Sequence, residues 1–355
     1  MKSFITKFLF ISILYFTISM VISYLTPYHW GNPWFSTKIQ FLEKNNQIEY
    51  NAFFFGSSRV YRQIDPEIFD STFNSISKEK LSSFNLGASA TFNPQSYYLF
   101  EKFLNSALSK NAKYCFIELM RVDLLSDYFM HEERTSYWQN YSDILFVGKS
   151  IYSNKQLGLK YKIKGGLNYS VSYMENILHL GHFRNQIINS NYYDDKYLGI
   201  RRDGFFPLDY DYETTKDETV KNHLYERKQS ILEKPELIDS RKLKISNSYD
   251  NISNNYDKVN LNRILELIQK SKQKGVELIF IVSPRNGNQQ LINLSRQIPE
   301  KNIIDMSNPQ NYPVLYNYEN SFDVGHLNSK GAVLYSKMLA IEFEKKAQTH
   351  NKELW

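Results

Sequence analysis

The stretch NAFFFGSSR, residues 51–59, is a short apolar and aromatic run that ends abruptly in Gly56, Ser57 and Ser58. This pattern is typical of a buried strand that delivers a small polar group to the carboxyl edge of an α/β sheet. Ligands of such sheets bind in the crevice at that edge. A serine hydroxyl at this place is a candidate nucleophile, provided that a base can reach it.

Further strands follow the same rhythm and predict a parallel sheet. Apolar runs at Ser83–Leu86 and Lys113–Leu119 are each followed by small or polar residues, and helical patterns lie between them. The rhythm returns with a strong strand at Val276–Val282 and a short one at Ile303–Ile304. This alternation predicts an α/β fold with a mostly parallel sheet and helices on both of its faces.

The middle of the chain, residues 124–256, lacks this rhythm. It is rich in Tyr, Asn and Ser and contains an acidic cluster at Asp209–Glu218. We interpret it as an irregular, partly helical insertion that either packs over the sheet edge or forms a lid or a partner surface. The predicted organisation is an anchor at 1–26, two parts of one α/β domain at 27–123 and 257–346, the insertion at 124–256, and a solvated tail at 347–355.

The N-terminal segment has the length and composition of a membrane helix. Residues Phe8–Leu25 are 18 consecutive residues without a charge, and a helix of this length spans roughly 27 Å. Lys2 and Lys7 precede it, which favours a cytoplasmic N-terminus. A cleaved signal peptide is the alternative, but its apolar region is normally shorter and ends in a small-residue site. The sequence thus predicts a single-pass anchor in the cytoplasmic membrane, with the bulk of the chain on the extracytoplasmic side.

Charge and cysteine content argue against other classes of function. The net charge of +6 is spread along the chain, and no arginine-rich run or nucleic-acid-binding motif appears. The single cysteine, Cys115, lies in an apolar run and is expected in the core. His179 and His182 are spaced for one helix face, but no third ligand accompanies them. We therefore predict no metal, no cofactor and no nucleic-acid partner.

A candidate base lies near the C-terminus. Asp323 and His326 are three residues apart, just before a predicted final helix at Ser329–Lys346. In a turn, this spacing brings both side chains to one face, so that Asp323 holds one ring nitrogen of His326 and the other ring nitrogen faces a serine. Loops that follow strands and precede helices gather at one sheet edge. The pair is therefore expected to lie beside Ser57 and Ser58.

These blocks together resemble the SGNH (GDSL-like) hydrolase superfamily. That superfamily has Gly-x-Ser after its first strand, an Asn-x-Gly-type second block, and Asp-x-x-His near the C-terminus. The similar stretches are Gly56–Ser58, Asn85–Ala90 and Asp323–His326, and the resemblance covers about Glu49–Asp123 and Val259–Lys346. It implies a three-layer α/β/α fold interrupted by the middle insertion.

The resemblance also implies roles for individual residues. Ser58 would be the nucleophile of a triad with His326 and Asp323, and the backbone N–H groups of Ser58 and Ala90 would stabilise the oxyanion. Two positions depart from the family. Its third block is Gly-x-Asn-Asp, but the matching stretch Met120–Asp123 has no asparagine, and Ala90 replaces the glycine of the second block. The oxyanion would then depend on the two N–H groups alone.

With its anchor, the chain is similar to the membrane-anchored members of this superfamily, the DltD-like and alginate-acetylation types. Those proteins acylate cell-envelope polymers outside the membrane, often beside an integral-membrane O-acyltransferase. The resemblance implies an extracytoplasmic serine-dependent O-acyltransferase or esterase that acts on a cell-envelope polysaccharide or polymer through an acyl-serine intermediate. The alternative is a non-catalytic scaffold or glycan-binding partner of a membrane O-acyltransferase.

Two arginines follow predicted strands and are candidates for substrate binding. Arg121 follows the third strand, and Arg285 follows the strand at Val276–Val282. Each is expected either to bind an anionic substrate group or to form a surface or structural ion pair.

Overall fold

The computed structural model describes residues 2–25, 31–178 and 193–352. The chain divides into two compact units. The first unit comprises residues 1–36 and 123–193, and the second comprises residues 37–122 and 194–355. The second unit contains the sheet and all the residues predicted to form the active site, and we call it the sheet unit.

Parallel strands form the sheet, as predicted. They are β1 (Ala52–Phe55), β2 (Ser83–Asn85), β3 (Tyr114–Glu118), β4 (Glu277–Val282) and β5 (Ile303–Asp305), and their order across the sheet is β2-β1-β3-β4-β5. Every pair of neighbouring strands is parallel. The prediction of an α/β fold is confirmed at this level, and the observed sheet of five strands is parallel throughout.

The α-helices of the described residues alternate with these strands at both ends of the chain and fill its middle. In chain order they are α1 (Lys2–Leu25), α2 (Pro33–Lys44), α3 (Ser58–Gln63), α4 (Pro66–Ile76), α5 (Gln95–Leu104), α6 (Glu133–Ser136), α7 (Tyr141–Ser153), α8 (Leu159–Ile177), α9 (Leu208–Thr214), α10 (Glu218–Glu233), α11 (Glu236–Asp250), α12 (Lys258–Gln273), α13 (Gln289–Ser295) and α14 (Ser329–Lys352).

Aromatic side chains pack helices against both faces of the sheet. Successive residues of a strand point to opposite faces. On one face, the ring of Phe54 packs against Phe69 of α4, at 5.0 Å between ring centroids. On the other face, Phe53 and Phe55 pack against Phe103 of α5, at 4.6 and 5.2 Å. β1 is therefore buried on both sides, which explains its uninterrupted run of apolar residues.

The strand order makes β1 the point at which the chain changes direction across the sheet. The chain runs from β1 to β2 on one side and then returns to β3 on the other. Where neighbouring strands lead to opposite sides in this way, the connecting loops separate at the carboxyl edge, and ligands of doubly wound sheets bind there. Ser57 and Ser58 follow β1 at this edge, and Glu118 ends β3 at the same edge.

The middle of the chain is more helical than its polar sequence suggests. Helices α6, α7 and α8 belong to the first unit, whereas α9, α10 and α11 belong to the sheet unit. The buried stripe of α10 consists of Leu224 and Ile231, and the rest of the helix is polar. A stripe this narrow produces little of the periodicity by which an amphipathic helix is recognised in a sequence.

The N-terminal helix α1 is long and apolar enough to cross a membrane. Its segment Lys2–Val21 has a mean hydropathy of 1.9, and 6% of it is buried within the protein. Among the described residues, this is the one helix with that length and composition.

Candidate active site

The turn after β1 is fixed by a buried carboxylate at the end of β3. Glu118 is fully buried, and its Oε2 accepts hydrogen bonds from Ser57 N at 2.8 Å and Ser57 Oγ at 2.6 Å. Its Oε1 accepts from Asn286 Nδ2 at 3.2 Å and lies 3.7 Å from the guanidinium of Arg59. A Cβ atom at Gly56 would lie 2.6 Å from Glu118 Cβ. The glycine therefore allows the strand end to approach this carboxylate.

Ser57 immediately precedes helix α3, and Ser58 is the first residue of the helix. Ser57 is the N-cap, and its hydroxyl accepts from Arg59 N. Ser57 Oγ is thus occupied by Glu118 and by the helix end. Ser58, by contrast, is half-buried, and its Oγ lies 2.9 Å from His326 Nε2. The hydroxyl that faces the histidine is therefore that of Ser58, whereas Ser57 stabilises the turn.

Asp323 holds the other ring nitrogen of His326. His326 Nδ1 lies 3.0 Å from Asp323 Oδ1 and 3.1 Å from Oδ2. Asp323 Oδ1 also accepts from the backbone N–H groups of Gly325 and His326, at 2.7 and 2.8 Å. The carboxylate therefore stabilises the turn from Asp323 to His326. A proton on Nδ1 that is donated to the carboxylate leaves Nε2 as an acceptor for the Ser58 hydroxyl. The structure thus brings together Ser58, His326 and Asp323.

A residue from the middle of the chain joins this group. Arg227, on α10, donates from Nε to Asp323 Oδ2 at 2.9 Å, and one of its terminal nitrogens contacts the same oxygen. That terminal nitrogen also lies 3.1 Å from His326 Nδ1. The guanidinium cannot donate to Nδ1 while Nδ1 carries a proton, so the carboxylate and the guanidinium favour opposite tautomers of His326.

The pKa values of Asp323 and His326 are both lowered, for different reasons. Burial raises the pKa of Asp323, but the hydrogen bond from His326 and the charges of His326 and Arg227 outweigh it and hold that pKa well below its usual range. Burial lowers the pKa of His326, Asp323 opposes this, and the charges of Arg59 and Arg227 lower it further. The net shift of His326 is downward, so its neutral form, which can act as a base, persists to lower pH.

The two backbone N–H groups considered for the oxyanion are those of Ser58 and Ala90. Within the described ranges, neither Ser58 N nor Ala90 N donates to a protein acceptor. The loop that carries Ala90 is bound to the serine turn through Ala88 N, which donates to Gly56 O at 2.9 Å. Ala90 has φ of +54°, the left-handed conformation that alanine adopts at a cost of about 1–2 kcal/mol. The N–H group of Ala90 is therefore retained, but in a strained backbone conformation.

Asn85, the first residue of the second block, supports the same loop from inside the protein. It is fully buried. Its Nδ2 donates to Val60 O and Ile64 O, both at 2.8 Å, and its Oδ1 accepts from Gly87 N at 2.9 Å. It therefore connects helix α3, which begins with the serines, to the loop that carries Ala90.

One of the two arginines considered for substrate binding, Arg285, lies in the protein interior. Arg285 is fully buried, and its guanidinium donates to Leu315 O, Asp323 O and Ser321 Oγ at 2.7–3.0 Å. Burial lowers the pKa of Arg285 to about 10, and the group therefore remains charged at neutral pH. Its donors bind the loop that carries Asp323 and His326, so the side chain braces this loop from within.

Arg121 lies beyond the end of β3 and is exposed. Together with Arg59, it acts on Arg241 of α11: burial lowers the pKa of Arg241, and the positive charges of Arg59 and Arg121 lower it further. Arg241 is held in place by Arg285 O, to which its Nε donates at 2.9 Å. Positive charge is therefore concentrated at this edge of the sheet, and a substrate-binding role of Arg121 stays a prediction.

Other chemical candidates lie away from this edge or outside the described residues. Cys115 is fully buried in β3, and burial raises the pKa of its thiol, so it behaves as a small core residue. His179 and His182 lie outside the described residues. In the ranges that the structure describes, no group of three or more His, Cys, Asp or Glu side chains is placed to hold a metal ion.

Sequence reasoning missed Glu118 and Arg227. A signal existed for Glu118, because a carboxylate at the end of an otherwise apolar strand is expected to have buried partners. Arg227 gave no such signal, because it lies in a polar helix with other charged residues on either side. Its contact with Asp323 spans 96 residues of sequence and depends on how α10 packs.

Comparison with known proteins adds no relative to this description. No family model matches the chain, and its sequence matches no curated protein.

Proposed function

We propose that this protein is a serine-dependent acyltransferase or esterase with an SGNH-like fold and that Ser58 carries the acyl group. The observation that supports this most strongly is the hydrogen-bonded chain from Ser58 Oγ to His326 Nε2 and from His326 Nδ1 to Asp323. A hydroxyl, an oriented imidazole and a carboxylate in this order are the elements of an activated serine.

In the first half-reaction, His326 Nε2 takes the proton of Ser58 as Oγ attacks the carbonyl carbon of an acyl donor. The carbonyl oxygen becomes an oxyanion, to which the N–H groups of Ser58 and Ala90 are available. The intermediate collapses, the bond to the leaving group breaks, and His326 returns the proton to that group. The product is an ester of Ser58, and the charge on Asp323 stabilises the transient imidazolium.

In the second half-reaction, the acceptor supplies the nucleophile. His326 takes a proton from a sugar or polyol hydroxyl, whose oxygen attacks the acyl carbon, and Ser58 leaves with that proton. Water in the same position makes the protein an esterase. Because the two reactions share every protein group, the access of water to the ester determines the outcome.

The place of action in this proposal follows from helix α1. Lys2 and Lys7 at its start favour a cytoplasmic N-terminus, so α1 would anchor the chain and leave the sheet unit on the extracytoplasmic side. A cell-envelope polysaccharide or polymer would then be the acceptor, and an integral-membrane O-acyltransferase is the expected partner. Positive charge at the sheet edge, with Arg121 exposed there, suits an acceptor or donor that carries an anionic group.

The direct test is covalent labelling of the full-length protein in detergent with a fluorophosphonate, followed by p-nitrophenyl acetate turnover. We expect the unmodified protein to be labelled and Ser58→Ala to lose labelling and turnover. Ser71→Ala, which removes an exposed hydroxyl on α4, is the matched control and should behave like the unmodified protein. Equal labelling of the Ser58→Ala variant would exclude Ser58 as the nucleophile.

A cellular test separates catalysis from a scaffolding role. A strain that produces Ser58→Ala at the normal level should lose the envelope acylation that depends on this protein. If acylation persists with the variant and disappears only when the protein is deleted, the chain is a scaffold and the catalytic proposal is wrong.

A further inference from the structure

Helix α8 of the first unit has its polar side inside and its aliphatic side outside. The buried residues are Gly165, Asn168, Tyr169 and Ser172. The exposed aliphatic residues are Leu159, Ile163, Leu167, Val171, Met174 and Ile177, each exposed by 40–69%. At 100° per residue, these six side chains occupy an arc of about 120°, within which the exposed residues Lys160 and Ser170 also lie. We call this surface the aliphatic arc.

The buried polar side chains of α8 form hydrogen bonds within the first unit. Asn168 Nδ2 donates to Leu125 O at 2.7 Å and to Asp127 Oδ1 at 2.9 Å. Ser172 Oγ accepts from Gln139 Nε2 at 2.9 Å, and Tyr169 Oη donates to Asp123 O at 2.9 Å. These bonds fix the rotation of the helix about its axis, so the arc cannot turn inward. A helix in water has the reverse distribution.

The end of α8 lies against the middle of α1. Tyr15 Oη donates to Leu178 O at 3.1 Å, and Leu178 is the residue that ends α8. Tyr15 lies ten residues before the end of α1 at Leu25, which is about 15 Å along the helix axis. Half the thickness of a bilayer core is also about 15 Å. The contact gives a terminal helix carbonyl the donor that lipid cannot supply.

The lysines of α8 are concentrated at one end of the helix, and the carboxylate at its other end is paired. Lys160, Lys162 and Lys164 lie in its N-terminal half. In the C-terminal half, the carboxylate Glu175 is paired with His131 at 2.6 Å. Tyr152 of α7 lies beside Gly166 at the border of the arc, since a Cβ there would be 3.8 Å from its hydroxyl. Lysine and tyrosine are favoured at the headgroups, and aliphatic side chains are favoured below them.

We propose that the aliphatic arc of α8 is embedded in the outer leaflet of the membrane beside α1, with its lysine-bearing end at the headgroups. This inference rests on the proposed membrane anchor, and it is independent of the proposed acyl transfer. The first unit would then contact lipid through α8 as well as through α1. The occupant of the arc is lipid, and a protein partner at this surface is an outcome that the experiment separates.

The test uses the full-length protein in vesicles of phosphatidylcholine and phosphatidylglycerol. A fluorophore is attached at Leu167→Cys in the arc, at Phe8→Cys in α1, or at Leu243→Cys, an exposed leucine of α11 in the sheet unit. The native Cys115 is buried and its thiol pKa is raised, so the unmodified protein gives the labelling background. Vesicles whose lipids carry a spin-label quencher high on the acyl chain are compared with unlabelled vesicles.

We expect fluorescence at position 167 to fall about twofold or more in the quencher vesicles. Leu167 lies between the lysine-bearing end at the headgroups and Leu178 near the middle of α1, so it should lie roughly 5–10 Å below the headgroup boundary. Position 8 should also be quenched, and position 243 should not. A signal at position 167 that matches position 243 while position 8 is quenched would overturn the proposal and leave the anchor intact. If position 8 is not quenched either, the anchor and this proposal both fail.

Two further measurements separate the remaining explanations. If position 167 is shielded from a membrane-impermeant maleimide in native membranes but remains unquenched in pure lipid vesicles, a protein covers the arc and the lipid proposal is wrong. Turnover of p-nitrophenyl acetate is measured on the same samples. Its absence would argue against acyl transfer by Ser58 and would leave the quenching result unchanged.

Discussion

Arg227 and His326 bind the same carboxylate. Both side chains contact Asp323 Oδ2, and the guanidinium also lies beside His326 Nδ1. Asp323 therefore cannot be described as the partner of the histidine alone. The guanidinium keeps the carboxylate ionised, and the ionised carboxylate raises the pKa of His326. The positive charge of the guanidinium itself lowers the pKa of His326. The pH dependence of the proposed reaction should report the balance between them.

Removal of Arg227 should slow acyl transfer and move its acid limb. His326 must be neutral to act as a base, so the rate falls as pH drops through the pKa of His326. Arg227 contributes to lowering that pKa, and in Arg227→Ala the pKa should rise and the acid limb should shift to higher pH. Because the carboxylate loses a positioning contact, kcat/KM should also fall about 10- to 100-fold. Rates measured across a pH series test both effects.

Arg227→Lys distinguishes positioning from charge. The lysine keeps the positive charge but loses the paired donors, so the acid limb should stay near its original pH while the rate remains reduced. Lys221→Ala, at an exposed position of the same helix, should change neither. An unshifted acid limb in Arg227→Ala would show that the guanidinium does not act on His326.

Substitution of Glu118 by glutamine should destabilise the sheet unit. One carboxylate oxygen accepts two donors from Ser57, and the other faces Asn286 and Arg59. The NH₂ group of glutamine must oppose donors in either orientation, so we expect a loss of about 2–4 kcal/mol in the free energy of unfolding. Urea unfolding measures it. Glu266→Gln alters a surface pair and should change the value by less than about 0.5 kcal/mol; an equally small effect at Glu118 would contradict the bracing role.

Arg285→Lys separates a loop brace from a substrate ligand. A lysine cannot reproduce the fork of donors to Leu315, Ser321 and Asp323, so stability should fall by about 2–4 kcal/mol. The ratio of KM values for an anionic and a neutral ester should be unchanged. The opposite result, normal stability with a raised KM for the anionic ester alone, would restore Arg285 as a substrate-binding residue. Arg296→Lys, at an exposed position directly after α13, provides the matched control.

Ala90→Gly should stabilise the protein without loss of activity. Glycine adopts φ of +54° without the clash that alanine suffers, and relief of this strain should add about 1 kcal/mol to the free energy of unfolding. The backbone N–H remains, so the rate of acyl transfer should change by less than about twofold. Ala107→Gly, where φ is not positive, should lose about 0.5–1 kcal/mol instead. Thermal unfolding of both variants tests the prediction, and destabilisation by Ala90→Gly would contradict it.

The sheet and its flanking helices were predictable because their signals are local. A buried parallel strand appears as an apolar run, and Asp65 before Pro66 marks the start of α4, where its carboxylate accepts from Ile68 N at 3.3 Å. The Asp323–His326 contact was also predictable, because a spacing of three residues and a turn suffice to form it. Each of these features depends on residues that are close in sequence.

The remaining parts of the site depend on packing that no local pattern encodes. Arg227 reaches Asp323 only through the docking of α10, a helix with a narrow apolar stripe. Arg285 resembled a surface arginine because it follows a strand and a proline, yet the loop at 313–327 folds around it. The positive φ values of Ala90 and Arg285 are imposed by tertiary structure on residues that do not favour them.

The separation of Ser58 and His326 by 268 residues has a consequence for the order of events during synthesis. The serine emerges from the ribosome early, whereas its base is among the last residues of the sheet unit to appear. Contacts between distant parts of a chain form slowly, and during synthesis they cannot form until both parts have emerged. Under the proposed function, Ser58 of an exported chain gains its base only once the C-terminal segment has arrived on the same side of the membrane.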